Sequence, residues 1–454
     1  MYKQGLGDCF LLTFPRNPKP FHMLIDCGAL KSKHYDAELM KNVVRDIQMR
    51  TDNHLDVVIA THEHWDHISG FTDAREEFDA IEFEQVWVAW TENPQSEAAK
   101  ILKKEFKKGL KALAAALEKM PPEKKGKHLS LYKTAIGNLM EFSGGLGVGK
   151  TTADAWQYIL KKAPNTYCDP KKAPLTLNGV EGVRVYVLGP PEDPNYVRKL
   201  LSKAETYHGP LLAPFAGFLA AAGADEEDER VRALPFAESL GVSPVEAKQR
   251  KFFQEHYGFS DDDEGEWRRI DNDWLNIAGE LALHLDNYTN NVCLALAIEL
   301  GDSGKVLLFP GDAQVGNWLS WGDLKWTVKN EDGEKREVTA ADLLARTVFY
   351  KVGHHGSHNA TLRAKGLELM GSSDLVAAIP VHRKTAKDQN WAFPYPPLWN
   401  RLKEKARGRV LLADAGDLNE VEKEAQEVLT STEWKNFKGA TSFDTLCVQY
   451  DLGF

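Results

Sequence analysis

Cysteine is scarce and poorly placed for cross-linking. Cys9, Cys27, Cys168, Cys293 and Cys447 are odd in number, far apart and never arranged as Cys-x-x-Cys. That argues against a disulfide framework and against a thiolate zinc site, and the five read as buried, reduced thiols. No apolar run approaches the length that spans a bilayer. The first residues, Met1-Tyr2-Lys3-Gln4-Gly5, lead straight into Phe10 to Phe14 without a signal-type apolar region, so no membrane span and a cytoplasmic location are expected. Basic side chains are outnumbered, 56 Lys and Arg against 66 Asp and Glu, a net charge of −10. This excludes global attraction to nucleic acid while leaving room for a local basic surface.

What is present is ordinary globular material, 43% hydrophobic and 27% charged. At 454 residues the chain exceeds one usual core, so an enlarged domain with an insertion, or several domains, is expected. Residues 1–92 alternate strand-like runs with turn signals: Phe10 to Phe14, Met23 to Gly28, Val57 to Ala60, Val86 to Trp90. Residues 93–175 read as a Lys- and Ala-rich helical insertion. Residues 176–285 read as one strand, Val183 to Leu188, followed by a polar helical connector with acidic runs near Asp225 and Asp261 that read as solvated surface. From 286 to 454 the strand pattern returns at Val292 to Leu300, Val306 to Phe309, Val348 to Val352, Leu375 to Ile379 and Val410 to Leu412.

The most informative segment is His62-Glu63-His64-Trp65-Asp66-His67, three imidazoles and a carboxylate directly after the apolar run Leu55 to Ala60. Ligand-type groups at this density beside a core strand are a desolvation liability unless they converge on a cation. Imidazole nitrogen and carboxylate oxygen suit zinc, iron or manganese. The helical protease signature is excluded, because the position four residues after His62 is Asp66 and not a histidine. Solvated polar side chains on a loop are the plain alternative.

Two later clusters repeat the design. Val306 to Phe309 runs into Pro310-Gly311-Asp312, which makes Asp312 a candidate bridging ligand, and Val348 to Val352 runs into Gly353-His354-His355-Gly356-Ser357-His358. Ligand sites in α/β proteins gather beyond strand termini, so three such clusters point to one crevice.

Taken together, His62-x-His64-x-Asp66-His67 and Gly311-Asp312 resemble the metal-binding signatures of the metallo-β-lactamase superfamily. Gly5-Leu6-Gly7-Asp8-Cys9, Leu24-Ile25-Asp26-Cys27-Gly28, Asn290-Asn291 and Lys351 to Ser357 are similar to the hydrolase domain of DNA-uptake competence channel proteins and to phosphorylcholine esterases. The resemblance covers roughly residues 1–90, 183–191 and 286–415, about half the chain. It implies an α/β fold, a four-layer αβ/βα sandwich whose two halves are residues 1–92 and 286–454. It also implies roles: His62 and His64 on a first metal, Asp66 and His67 on a second, Asp312 bridging, and the His354-His355 pair beside them donating to substrate oxygen. One departure stands out. Relatives carry a last metal-binding histidine where this chain has Phe393, so the second metal is weak, absent, or completed by His354 or His382. His284 is available as a further ligand, although a lone histidine in a helical run reads first as structural.

The expected activity is hydrolysis with one or two divalent metals, zinc first and manganese or iron next. Phosphodiesters are the favoured substrates, with Asp66 orienting a water, His354 or His355 protonating the leaving oxygen, Asn291 and Ser357 contacting an anionic substrate and Lys351 supplying positive charge. The alternatives are a lactone, thioester or amide hydrolase on the same scaffold, or a catalytically silent binding module. Lys100 to Lys127, with ten Lys against three Glu, reads as a solvated face that leaves nucleic-acid contact open. Gly144 to Thr151 formally fits the phosphate-loop pattern, but it follows a helical stretch instead of a core strand and reads as a flexible connector. Trp87, Trp90, Trp318 and Trp321 read as core aromatics, with a substrate-cleft lining as the alternative.

Overall fold

The structure, a computed structural model, describes residues 1–118, 151–199, 244–256, 285, 287–329 and 333–453. Its contacts divide the chain into two units, one comprising 1–100, 140–209 and 287–454 and the other 101–139 and 210–286. The first unit is of mixed α/β class.

Two mixed sheets organise that unit. The first consists of β1 (Cys9–Phe14), β2 (Phe21–Cys27), β3 (His54–Ile59), β4 (Glu82–Ala89) and β5 (Asn165–Cys168), in that spatial order. β1 is antiparallel to β2, and the remaining pairs are parallel. The second sheet draws on β6 (Leu175–Thr176), β7 (Arg184–Gly189), β8 (Ala295–Leu300) and β9 (Lys305–Phe309). After a hairpin of β10 (Lys325–Lys329) and β11 (Lys335–Thr339) it is completed by β12 (Thr347–Lys351), β13 (Val376–Ile379) and β14 (Val410–Leu412), in the order β14-β13-β12-β9-β8-β7-β6. A last small hairpin pairs β15 (Thr441–Phe443) with β16 (Val448–Tyr450).

Pattern explains placement. β2 and β8 are buried at every position, mainly apolar strands covered on both faces with Asp26 and Glu299 as their buried carboxylates. Phe10, Met23, Ile25, Val57, Ile59 and Trp87 from the first sheet share one core with Val185, Ile298, Leu308, Tyr350 and Ala378 from the second. The other face of the first sheet packs on the helix Ala37–Thr51, which buries Met40, Val43, Val44 and Ile47 at helical spacing. Asp36 caps that helix, its side chain accepting from the Glu38 amide, and Asp52 ends it in the left-handed region at φ 52°.

The helical insertion expected over 93–175 is divided differently. Residues 101–139 belong with 210–286, whereas the helix Thr152–Lys162 buries Ala155, Trp156, Tyr158 and Ile159 in the outer core of the first sheet, and β5 pairs with β4. A four-residue edge strand reading Asn-Thr-Tyr-Cys carries too little apolar alternation to be seen in sequence. In the second unit, the described residues form most of the helix Glu97–Glu118 and the short helices Pro244–Gln249 and Lys251–His256. Among the described residues no helix is long and apolar enough to cross a membrane.

Candidate metal centre

Three strand ends supply the site. At the end of β2, Asp26 accepts from the Thr61 amide at 2.8 Å and from the Thr61 hydroxyl at 2.7 Å, pinning the chain as it leaves β3. The next residues, His62 and His64, are followed by a single helical turn, Trp65–Ile68, which turns Asp66 and His67 inward; all four ligand-type residues are buried. This turn fits only because residue 28 has no side chain: a Cβ at Gly28 would lie 2.5 Å from the Asp66 carbonyl carbon and 2.6 Å from the His67 amide nitrogen.

After β9, Gly311 takes φ 57° and delivers Asp312, whose amide donates to Cys293 Sγ at 3.2 Å. After β12, His354 and His355 are both left-handed, at φ 44° and 52°. Adjacent non-glycine residues in that region are costly and persist only where the surroundings enforce them. Here the His354 amide donates to Asp312 Oδ1 at 3.0 Å and His355 Nδ1 meets the Pro380 carbonyl at 2.7 Å.

The three ends converge. His67 Nε2 lies 3.1 Å from Asp312 Oδ2 and 3.8 Å from Asp66 Oδ2, and His355 Nε2 lies 2.9 Å from Asp66 Oδ2. Ligand atoms of Asp66, His67, Asp312 and His355 all fall within 4.8 Å of one another. His62 and His64 adjoin them, their ring centroids 4.6 Å apart, with His62 4.2 Å from His67.

These residues suit a divalent cation on the evidence of their own unmet needs. His62 Nε2, His67 Nε2, Asp66 Oδ1 and Asp312 Oδ2 are buried and make no hydrogen bond among the described residues, although buried polar atoms are nearly always bonded. Asp8, Asp26, Asp66 and Asp312 are all buried, with Lys351 the one buried lysine among them; if the imidazoles are neutral, three negative charges stand uncompensated. The remaining ring nitrogens are already oriented from behind, His67 Nδ1 by Asp26 Oδ2 at 2.7 Å and His62 Nδ1 by the Thr61 hydroxyl at 3.1 Å, as metal-ligating histidines generally are. Nitrogen and oxygen donors without thiolate agree with a zinc, manganese or iron type of ion.

Protonation follows the same fields. Burial drives His62 well below the ordinary histidine range, and it takes His64 and His354 down to about 4. In His67 burial is outweighed by Asp312, Asp8, Asp66 and Asp26, which hold it well above the ordinary range. Burial is likewise overcome in His355 by its bond to Asp66 and the field of Asp312, and in Asp312, held well below the carboxylate range by His67 and Lys351.

Several sequence expectations need correction. His355 uses both ring nitrogens, on Pro380 and Asp66, and falls in the group with Asp66, His67 and Asp312 that could hold a metal ion; it is not a free proton donor. Asn291 is a structural anchor and not a substrate contact. Its Nδ2 donates to the Val197 and Lys199 carbonyls, each at 3.0 Å, and its Oδ1 accepts from the Asn317 amide. Ser357 is buried and its hydroxyl donates to Asn359 Oδ1. Lys351 is 1% exposed and committed to Asp8, Gly311 and Asp312, so it is no oxyanion donor. His382 caps the helix Arg383–Asp388, accepting from the Thr385 amide, and among the described residues joins no group that could hold a metal ion.

Phe393 does stand at the site, its ring centroid 5.7 Å from His354 and 6.2 Å from His355, as an apolar wall. His284 and residues 144–150 of the glycine-rich stretch lie outside the described residues; Thr151, the last of that stretch, caps the helix Thr152–Lys162 in a reciprocal bond with Asp154. Within the lysine-rich segment Lys100 pairs with Glu97, and residues 119–127 are outside the described residues. The four tryptophans are core: Trp318 and Trp321 stack at 4.0 Å, and Trp87 and Trp90 are buried.

Residues that the sequence reading did not place at the site are Asp8, Asp26, Cys293 and Gln314. Asp8 and Asp26 carried a signal, a carboxylate set among glycine and apolar residues at a strand edge; Cys293 and Gln314 carried none. Compared with family models, curated proteins and solved structures, the chain finds no match in any of the three.

Proposed function

We propose that this chain is a metal-dependent hydrolase acting on phosphodiesters, built as the four-layer αβ/βα sandwich of the metallo-β-lactamase superfamily that its motifs resemble. The observation that carries the reading is the convergence of Asp66, His67, Asp312 and His355, buried, from three strand ends, with Asp66 Oδ1, His67 Nε2 and Asp312 Oδ2 making no hydrogen bond among the described residues. His62 and His64 extend that set. A divalent cation held there, zinc in the first instance, would polarise a substrate oxygen and bring the pKa of a bound water toward neutrality.

The protein groups have separate tasks. Asp66 Oδ1, which makes no hydrogen bond among the described residues, would orient a water. Gln314 Nε2 stands 3.3 Å from His354 Nδ1; an amide donor there places the ring proton on Nε2, facing the site. His354 is thereby a hydrogen-bond donor to substrate oxygen, and a neutral one at pH 7. Phe393 excludes water beside it. Because Lys351 is committed elsewhere, the preference for phosphodiesters over lactones, thioesters or amides rests on the resemblance.

The test is metal analysis of the purified protein, with turnover of bis-p-nitrophenyl phosphate and of an ester panel by wild type and Asp66→Ala. Phosphodiester turnover that falls about 100-fold or more in the variant supports the reading. Ester turnover alone would make it an acyl hydrolase, and absence of both metal and turnover would leave a binding module.

A further inference from the structure

Lys351 is among the largest fully buried side chains of the protein, and an ammonium group in such a place must be matched on every proton. It is. Nζ donates to the Gly311 carbonyl at 2.8 Å and to Asp312 Oδ1 at 3.1 Å, and its third contact is the Asp8 carboxylate. Asp8 is itself fastened to the other half of the site: its amide donates to the Asp66 carbonyl at 3.0 Å, and its own carbonyl accepts from Gly28 at 3.0 Å. The pair therefore joins the Asp66 loop, hung on the first sheet, to the Asp312 loop, hung on the second.

The consequence falls on Asp312. Its Oδ1 takes both Lys351 Nζ and the His354 amide, while Oδ2 makes no hydrogen bond among the described residues and faces His67 Nε2 at 3.1 Å. Resting on the metal-centre reading above, we propose that Asp8 and Lys351 are a positioning pair that fixes Asp312 as a single-oxygen metal ligand, through Oδ2 alone, and sets its distance from the Asp66 loop. Neither residue belongs to the group of Asp66, His67, Asp312 and His355. Without Lys351, Oδ1 loses its charged partner and becomes available as a second donor, and the carboxylate is free to turn.

Zinc affinity measured by chelator competition, and the visible band of the cobalt(II)-substituted full chain, test this in wild type, Lys351→Met, Asp8→Asn and the double variant. Loss of an orienting partner weakens metal binding about 10- to 100-fold. That loss is expected in Lys351→Met, with a cobalt band weakened by higher coordination number; Asp8→Asn is expected to lose less. The double variant is expected to bind no worse than Lys351→Met, because the two residues act as one unit. A merely structural role would lower the melting temperature and leave affinity and spectrum unchanged; that result in folded Lys351→Met overturns the proposal, or in Asp8→Asn if the former does not fold. A zinc-loaded crystal showing Asp312 bound through both oxygens overturns it whatever the variants do. If wild type binds no zinc or cobalt, the metal-centre reading itself has failed, an outcome distinct from equal binding by wild type and variants.

Discussion

His355 Nε2 and Asp66 Oδ2 lie 2.9 Å apart across a sequence separation of 289 residues, both fully buried. In the metal-free protein this bond is Asp66's closest compensation for its lost hydration. His355→Ala is therefore expected to destabilise the metal-free protein by about 3–5 kcal/mol, the usual cost of stranding a buried charge. Urea unfolding in the presence of a chelator measures it. Zinc is expected to stabilise wild type in proportion to the logarithm of its concentration and the variant much less. Equal zinc stabilisation of both would remove His355 from the ligand set.

Proton and metal compete for the same nitrogens. The carboxylates around His67 and His355 overcome burial and hold both above the ordinary histidine value of 6.5, so each holds its proton in the metal-free site more firmly than a free imidazole does. A raised folded-state pKa contributes stability that is complete below the unfolded value and is lost as pH rises through the folded one. The metal-free protein is thus expected to weaken from about pH 6.5 upward, while zinc affinity rises over the same range because fewer protons must leave. Titration calorimetry in buffers of different ionisation enthalpy reads the release directly. Identical heats in all buffers would mean that neither imidazole gives up a proton.

Most of the strands could be read from sequence because their apolar runs are long, and the three ligand clusters because each follows such a run. Asp312, His67 and Asp66 are legible on that ground. What eluded the sequence was the assignment of tasks within a cluster. Lys351, His354 and His355 stand almost side by side, and only the fold shows that Lys351 turns back onto Asp8 while His355 reaches Asp66. Asn291 looked like a substrate contact because it is polar and near a strand start, yet the segment at Val197 and Lys199 absorbs both its amide protons. β5 and the hairpin of β10 and β11 escaped because short edge strands owe their place to neighbours and not to their own periodicity.

At the far side of the second sheet, the buried carboxylate of Glu299 meets Arg336 at 2.5 Å, Arg346 at 2.8 Å and the Tyr186 hydroxyl at 2.9 Å. Burial pushes Glu299 up, but its bonds to Arg346, Arg336 and Tyr186 outweigh this and hold it below the usual carboxylate value. A depressed pKa gives stability that is present above the unfolded value of about 4.3 and is lost as pH falls through the folded one. Glu299→Gln is expected to cost about 2–3 kcal/mol at pH 7, below the full buried-pair figure because the arginines are partly exposed. The difference from wild type is expected to shrink below about pH 4. Parallel urea curves at pH 7 and pH 3.5 check this, and a pH-independent difference would assign the effect to packing.

Phe393 offers the sharpest test of the metal count. Its ring stands 5.7 Å from His354 and 6.2 Å from His355, where it offers no donor atom. If the proposed centre is built as its motifs suggest, an apolar ring there supplies no ligand, and wild type is expected to hold about one zinc ion firmly and a second only weakly. Phe393→His supplies an imidazole next to His354 and His355 without changing the strand ends that carry Asp66, His67 and Asp312. Two zinc ions per chain after exhaustive dialysis are then expected in the variant against one in wild type, read by elemental analysis. Two in both would show that the present donors suffice, and one in both would show that residue 393 does not reach the second position.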